Sequence, residues 1–554
     1  MKRFLTLFLL LLALPAAAST LDGRVTDTDG NPLQGVPVSD GYSIVQTDAD
    51  GCYTICSLKD YGIVFVIVPS GYEAPLDGVF PQFWQPLCDD DVDEVHDFTL
   101  RKTDNEDYSL LVLGDLHLCN RVSLRDMEQF RVCMDEIEAQ TAAREAAGRK
   151  TYVIQLGDMT WDLYWDNSSG LEWCNFDLEA YRRHINSCMA HPVPFFHTMG
   201  NHDNDYRAVG DAAAEVPYKK TIGPTYYSFN LGKIHYIVLD DVICTNNGTV
   251  DGRGDRMGLT DAQIDWVKAD MSFVPDGTPV IVALHEQVYR LDSADKGHEA
   301  NDDIVRLNAA IGKSHRIHYI TGDTHIINNF GRPSDRISEH NAGAVCGAWW
   351  WSGRLSWKGV FPQFDRYRGK EYLMVSRDGA PAGYTIYEVD GTDWTSIWKG
   401  FGLPEDRQIH TYDLNEVEIN SETFPGKGDF ARTIDKDAAD YAVRRSDNTV
   451  LLNVWNYDPS WKIVVKEVET GRKLRVRESP STFDPMTLVT YNAGRYAEGG
   501  RTTGSFKANR TMHHIFKVKA TRPDTTLEIT VTDGYGRTFR ETMTRPKAFT
   551  LGWE

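Results

Sequence analysis

Five apolar runs with strand character recur through the middle of the chain: Tyr108 to Leu113, Tyr152 to Leu156, Pro194 to Met199, Val280 to Leu284 and Ile317 to Ile320. Near-continuous runs of this length are the pattern of strands buried on both faces. Between them lie stretches of helical period, including Leu124 to Ala147, Leu178 to Ser187 and Thr260 to Met271, where Thr260 is placed to cap the turn that starts at Asp261. The alternation predicts an α/β core, in which loops distant in sequence meet beyond the carboxyl ends of the strands. The flanks have a different texture. Leu21 to Arg101 reads as short alternating strands with turns at Asp29-Gly30-Asn31-Pro32 and Asp48-Ala49-Asp50-Gly51. From about Asp413 the alternation returns, in Val450 to Trp455, Trp461 to Glu467, His513 to Ala520 and Leu527 to Thr532. The expected organisation is a leader over residues 1–18, an all-β sandwich over 19–103, an α/β sandwich core over 104–412 and a second all-β domain over 413–554.

Each core run ends in a short polar motif: GDLH (Gly114 to His117), GDMTWD (Gly157 to Asp162), GNHD (Gly200 to Asp203), ALHEQ (Ala283 to Gln287) and GDTH (Gly322 to His325). Taken singly, a histidine or asparagine here is better read as a satisfied polar core residue or a loop cap. Taken as an ordered set, they supply the imidazole and carboxylate ligands that suit two adjoining divalent cations such as Mn, Fe or Zn.

This set resembles the calcineurin-like metallophosphoesterase superfamily, over roughly Asp107 to Tyr387. The resemblance implies that Asp115, His117, Asp158 and His325 hold one metal, and that Asp158 bridges to a second held by Asn201, His285 and Asp323. It also implies hydrolysis of phosphate esters by a hydroxide that bridges the two cations. His202 would protonate the leaving oxygen, and Asp203 beside it would fix its tautomer. The segment GRVTDTDGNPLQGVPVSDG with TDADGCYTI resembles carboxypeptidase-regulatory-like or transthyretin-like sandwiches, and the whole order of domains resembles a group of exported bacterial phosphoesterases.

Two positions depart from the pattern. Asp323 stands where the last motif normally has a histidine, so Asp115, Asp158, Asp323 and a hydroxide together cancel the charge of two dications. That tilts the expectation toward phosphodiesters over dianionic monoesters; the alternative reading of Asp323 is a residue that orients a neighbour or caps its loop. Trp161 stands where the similar purple acid phosphatases place a ligating tyrosine, which together with His117 in the first motif argues against an iron–tyrosinate centre and for an ordinary dimetal site. Beyond the last motif, Trp349, Trp350 and Trp351 are consecutive. Trp349, Trp350 and Tyr384 are the candidates for contact with the substrate, with at least one of the rings expected in the core.

Charge and termini narrow the partners. The formal net charge is −22, which repels polyanions and makes nucleic acid a poor substrate. The acidic run Asp89 to Asp91 with Asp93 and Glu94 reads as a solvated loop. Lys2 and Arg3, the apolar run Phe4 to Leu14 and the small residues Ala16 to Ala18 form a secretory signal, so the protein is expected in the periplasm or outside the cell. No later run is long enough to span a membrane. Nine cysteines permit disulfides in that setting. Three functions stay in view: a phosphodiesterase, a phosphomonoesterase with the same ligands, and a glycan- or protein-binding module with a vestigial metal site. The expected partner of an active site is a phosphate ester, with lipid- and glycan-linked esters among the candidates.

Overall fold

The computed structural model describes residues 19–119, 126–162, 176–249, 252–291, 297–332, 334–347, 349–350, 374–502 and 507–553. The expected leader, Leu124, Cys174 and Trp351 lie outside these.

The core is two facing sheets. One has five strands in the order Phe195–Thr198, Lys150–Leu156, Asp107–Leu113, Gly383–Asp390, Asp393–Gly400. The first three are parallel and the last two antiparallel. The other has six, in the order Tyr227–Leu231, Ile234–Val238, Val280–Ala283, Ile317–Thr321, Ile337–Asn341, Asn328–Phe330, parallel through its four middle strands and antiparallel at both edges. All five apolar runs are therefore strands, and they are buried on both faces. That explains why they carry no polar alternation.

The helices follow the same logic. Leu178–Cys188 is capped by Asp177, whose carboxylate accepts from Ala180 N, and buries Leu178, Tyr181, Ile185 and Cys188 at helical spacing. Asp261–Asp270 starts behind Thr260, whose hydroxyl accepts from Gln263 N at 3.3 Å.

Polar side chains tie the two core sheets together through the apolar layer. Tyr108 and Tyr236 share a 2.5 Å hydroxyl contact. His318 Nε2 meets the Tyr387 hydroxyl at 2.9 Å, and His340 Nε2 meets Thr385 Oγ1 at 2.6 Å. These pairs satisfy polar groups that would otherwise be buried at a cost.

The N-terminal part forms two sheets, one around Ser19–Asp27 and one ordered Ile44–Gln46, Pro37–Ser39, Ile63–Val66, Trp84–Pro86. Its apolar interior runs on into the core, from Phe65 and Tyr61 to Tyr226 and Trp266. The C-terminal part pairs two four-stranded sheets, centred on Thr449–Val454 and Leu527–Thr532. An α/β core flanked by two β domains is thus the observed fold class. One local expectation is corrected: the strand begins at Ile515, so His513 and His514 precede it instead of alternating within it. His514 is buried and meets Asn453 Oδ1 at 2.8 Å. The eight described cysteines are all free thiols.

Candidate metal centre

Every ligand-bearing motif sits just beyond the carboxyl end of a parallel strand, and the loops are stitched to one another. His117 N donates to Asp158 O at 2.8 Å, and Gly322 N donates to His285 O at 2.8 Å. The turns that achieve this are tight: Asp115, His117, Asp158, Asp323 and His325 all have φ between 44° and 63°. Non-glycine residues enter that left-handed region at a cost of about 1 kcal/mol or more each, and such residues cluster at functional sites. Glycine is required beside them. A Cβ on Gly157 would lie 2.5 Å from His285 Nδ1, and one on Gly200 would lie 2.2 Å from Asp158 N.

The side chains converge in two overlapping groups. His117 Nε2 lies 2.9 Å from His325 Nε2, 3.2 Å from Asp158 Oδ2 and 4.0 Å from Asp115 Oδ1. His285 Nε2 lies 3.4 Å from the same Asp158 oxygen, 3.3 Å from Asn201 Oδ1 and 3.8 Å from Asp323 Oδ1. Asp158 belongs to both. All seven sequence-predicted ligands therefore lie in one cluster, in which Asp115, His117 and His325, Asp115, Asp158 and His285, and His117, Asp158 and His202 have the spacing to hold a metal ion, while Asp323 stands outside these groups.

The donors also fit a cation on other grounds. Asp115 Oδ2 is buried with no hydrogen-bond partner among the described residues, which is costly for a carboxylate oxygen without a bound ion to compensate it. Burial holds the His117 imidazole well below its ordinary value, which keeps a lone pair free to ligate. Burial alone would raise the Asp158 carboxyl, yet His285, His202 and His117 around it hold it well below the usual carboxylate range. The residue common to both groups is thus ionised.

Second contacts aim the ligands. His285 Nδ1 donates to Leu156 O at 2.7 Å, which turns Nε2 toward Asp158, and Asp241 Oδ1 accepts from His285 N at 3.0 Å. The Asn201 amide donates to Asp255 Oδ2 at 3.2 Å, leaving its carbonyl oxygen toward His285.

His202 is placed differently from expectation. Its Nδ1 faces the Trp161 carbonyl and lies 3.1 Å from Asp162 Oδ1. Asp203 does not touch the ring. Its carboxylate accepts from Gly200 N at 3.0 Å and Thr160 N at 3.2 Å, because residue 203 closes a short 3-10 turn and its side chain folds back on the loop. The acid beside the ring is Asp162, which pairs in turn with Arg253. Burial pulls the His202 imidazole down, but Asp158 and Asp162 outweigh it and leave it above its ordinary value. Asp162 was present in the GDMTWD motif, whereas Arg253 and Asp255, from the hairpin Val242–Cys244 and Asp255–Met257, carry no pattern in the sequence that points to the site.

The aromatic candidates separate. Trp349 packs its ring 3.7 Å from His117 and 5.0 Å from His202, and it leans on Trp161 at 4.2 Å. Trp350 does not reach the site. It is fully buried against Phe130, with Nε1 donating to Leu116 O at 2.9 Å. Tyr384 is also fully buried, against Phe401 at 5.5 Å, because the second position of its strand turns its side chain into the core.

Three family models match the chain: calcineurin-like phosphoesterase over residues 108–327, the N-terminal of calcineurin-like phosphoesterase over 19–103 and the C-terminal of calcineurin-like phosphoesterase over 339–539. No curated protein matches the sequence. Among solved structures, the chain is similar to the purple acid phosphatase PPD1 from yellow lupin (Lupinus luteus) seeds, at 10% identity and a TM-score of 0.33 over 64% of this chain and 56% of that one. It is similar to GAP50, the anchor in the inner membrane complex of Plasmodium, at 12% identity and 0.30 over 53% and 85%. It is also similar to the sulfate thiohydrolase SoxB of Thermus thermophilus, at 13% identity and 0.28 over 54% and 58%. The chain spans little more than half the length of the lupin protein, and likeness at this level says nothing of activity.

Proposed function

The chain belongs to the calcineurin-like phosphoesterase family, and we propose that it is an exported dimetal phosphohydrolase that favours phosphodiesters. The observation that carries this reading is Asp158, whose Oδ2 lies 3.2 Å from His117 Nε2 and 3.4 Å from His285 Nε2, where one carboxylate would serve two cations. Asp115, His117, Asp158 and His325 would hold the first, and Asp158, Asn201, His285 and Asp323 the second. Bound Mn, Fe or Zn would supply Lewis acidity and a water of lowered pKa.

The remaining work falls to the chain's own residues. His202, with Nδ1 engaged by Trp161 O and Asp162, presents Nε2 to the ester and delivers a proton to the departing oxygen. Trp349 and Trp161 wall the His117 side and exclude water there. The diester preference rests on Asp323, which adds a carboxylate where an imidazole would leave the centre more positive. Arg253 favours the second reading, a phosphomonoesterase, because it brings a cation to His202. Its charge is spent on Asp162, however, so the diester reading stands. Export rests on the leader sequence of residues 1–18, and among the described residues no helix is long and apolar enough to cross a membrane.

The test is hydrolysis of a bis-aryl phosphodiester against the matching aryl monophosphate, with Mn-loaded protein and Asp158→Asn as the blank. Faster metal-dependent diester cleavage is expected. Faster monoester cleavage would reverse the preference, and no metal-dependent cleavage of either would leave a binding module.

A further inference from the structure

Arg377 lies in the turn that follows Met374 and enters the strand Gly383–Asp390. Its guanidinium reaches the last ligand loop: Nη1 donates to Thr324 O at 3.3 Å, between Asp323 and His325. From the other side it is held by the C-terminal part of the chain. Its Nε donates to Lys507 O at 3.3 Å, and Asn509 N donates to Arg377 O at 2.8 Å. The residue is half-buried.

Two of the five N–H groups of a guanidinium are thus used, both on carbonyls. Among the described residues no carboxylate lies within ion-pair distance of Arg377. The two nearby acids are committed elsewhere. Asp378 accepts from Ile327 N at 2.7 Å and from Ala380 N at 3.0 Å, and Asp323 faces His285. Arg377 is a partly desolvated cation with no carboxylate paired to it among the described residues, in a chain whose net charge is −22. Such a group is costly to keep unless something anionic meets it. It stands beside Asp323, whose side chain is 42% exposed, so its free N–H groups belong to the rim of the metal centre. Burial pulls the guanidinium below its ordinary value, and Tyr491, Asp323 and Asp378 offset this only in part.

Resting on the phosphohydrolase reading above, we propose that Arg377 binds a second anionic group of the substrate, a carboxylate or phosphate carried on the organic part of the ester, at the rim beside the Asp323–His325 loop. The preferred substrates are then phosphodiesters with an acidic arm. The C-terminal domain acquires a role in selecting them, because its Lys507–Asn509 segment positions the arginine. Planar, forked donors suit both anions, and one charge-assisted contact of this kind changes kcat/KM by about tenfold or more.

The experiment uses the full chain loaded with Mn and three aryl phosphodiesters. They share a nitrophenyl leaving group and carry a carboxylate, a phosphonate or an uncharged carboxamide on the other ring. Wild type is expected to favour at least one acidic substrate over the carboxamide by about tenfold in kcat/KM, and the larger of the two ratios tells carboxylate from phosphate. In Arg377→Gln that ratio falls to near one, while Arg377→Lys, which keeps the charge without the fork, retains part of it. Arg377→Met serves in place of the glutamine variant if the latter does not fold. A wild-type ratio near one, or a ratio that survives loss of the arginine, overturns the inference. Because each ratio is internal to one protein, a general loss of metal or activity cannot imitate the result. No metal-dependent turnover by wild type of any of the three diesters or of the matching aryl monophosphate would sink the phosphohydrolase reading and this inference together, whereas turnover of the monophosphate alone, or of the diesters without charge preference, sinks only the inference.

Discussion

At the scale of single residues, Asp162 and Asp203 both flank His202, yet only Asp162 meets its ring. The two acids should therefore fail in different ways. Asp162→Asn loosens the imidazole, so turnover should fall by about a hundredfold for esters with poor leaving groups. It should fall much less for nitrophenyl esters, whose departing oxygen needs little protonation, and a steeper dependence of rate on leaving-group pKa is the measurement that reports it. Asp203→Asn removes an acceptor from either Gly200 N or Thr160 N and should cost about 1–3 kcal/mol of stability, with the leaving-group dependence unchanged. Equal dependence in both variants would return the orienting role to neither acid. The same contrast applies to the tryptophans. Trp349→Ala should raise KM, because the ring touches His117 and nears His202. Trp350→Phe should instead lower the thermal midpoint by leaving Leu116 O unbonded, at about 1–2 kcal/mol, with KM unmoved.

At the scale of elements, the site is a property of strand ends. Each parallel strand delivers one motif, and left-handed turns at Asp115, His117, Asp158, Asp323 and His325 fold the ligands inward within one or two residues of the strand. Gly157 makes this possible by clearing the space beside His285. Gly157→Ala should lose bound metal, seen as a fall in metal content of the purified protein, and should drop turnover with it; retained metal would mean that the loop can shift to admit the methyl group. This dependence on strand ends is also why most of the site could be read without coordinates. Parallel strands buried on both faces leave long apolar runs, and ordered ligand motifs stand out against them. Contacts made across the fold left no such trace. Arg253 and Asp255 come from a hairpin with no periodicity of its own, and Arg377 from a turn whose place beside Thr324 depends on how the C-terminal part docks. Trp350 fails for the opposite reason: closeness in sequence to the last motif suggests closeness in space, while the fold packs its ring on Phe130 in the core, and Tyr384 in the strand Gly383–Asp390 is likewise buried away from the site.

At the scale of the whole molecule, the two core sheets are joined by buried histidines, and this makes the fold sensitive to acid. Burial holds His318 and His340 at about 3, against 6.5 for an exposed imidazole, with His318 lowered further by His340 and Arg316. Both stay neutral between the sheets, where His318 bonds Tyr387 and His340 bonds Thr385. Between pH 6.5 and about 3 the unfolded chain binds protons that the folded chain refuses, so this contribution is complete above pH 6.5 and is lost as pH falls. Buried carboxyls such as Glu339 and Asp484, raised to about 7 mainly by burial, act with the opposite sign, because they hold protons in the fold where unfolded carboxyls would ionise. The net acid response of the wild type is therefore a sum, and a variant is needed to isolate one member of it. Glutamine at position 340 cannot take up a proton. The stability advantage of wild type over His340→Gln should narrow as pH drops below 6.5, by at most about 1.4 kcal/mol per pH unit. Thermal midpoints of chelator-treated protein measured from pH 7.5 to pH 5 would show the gap closing, with metal loss at acid pH kept out of the comparison. A gap independent of pH would mean that His340 already carries a proton between the sheets, and the acid lability would then have to come from elsewhere in the chain.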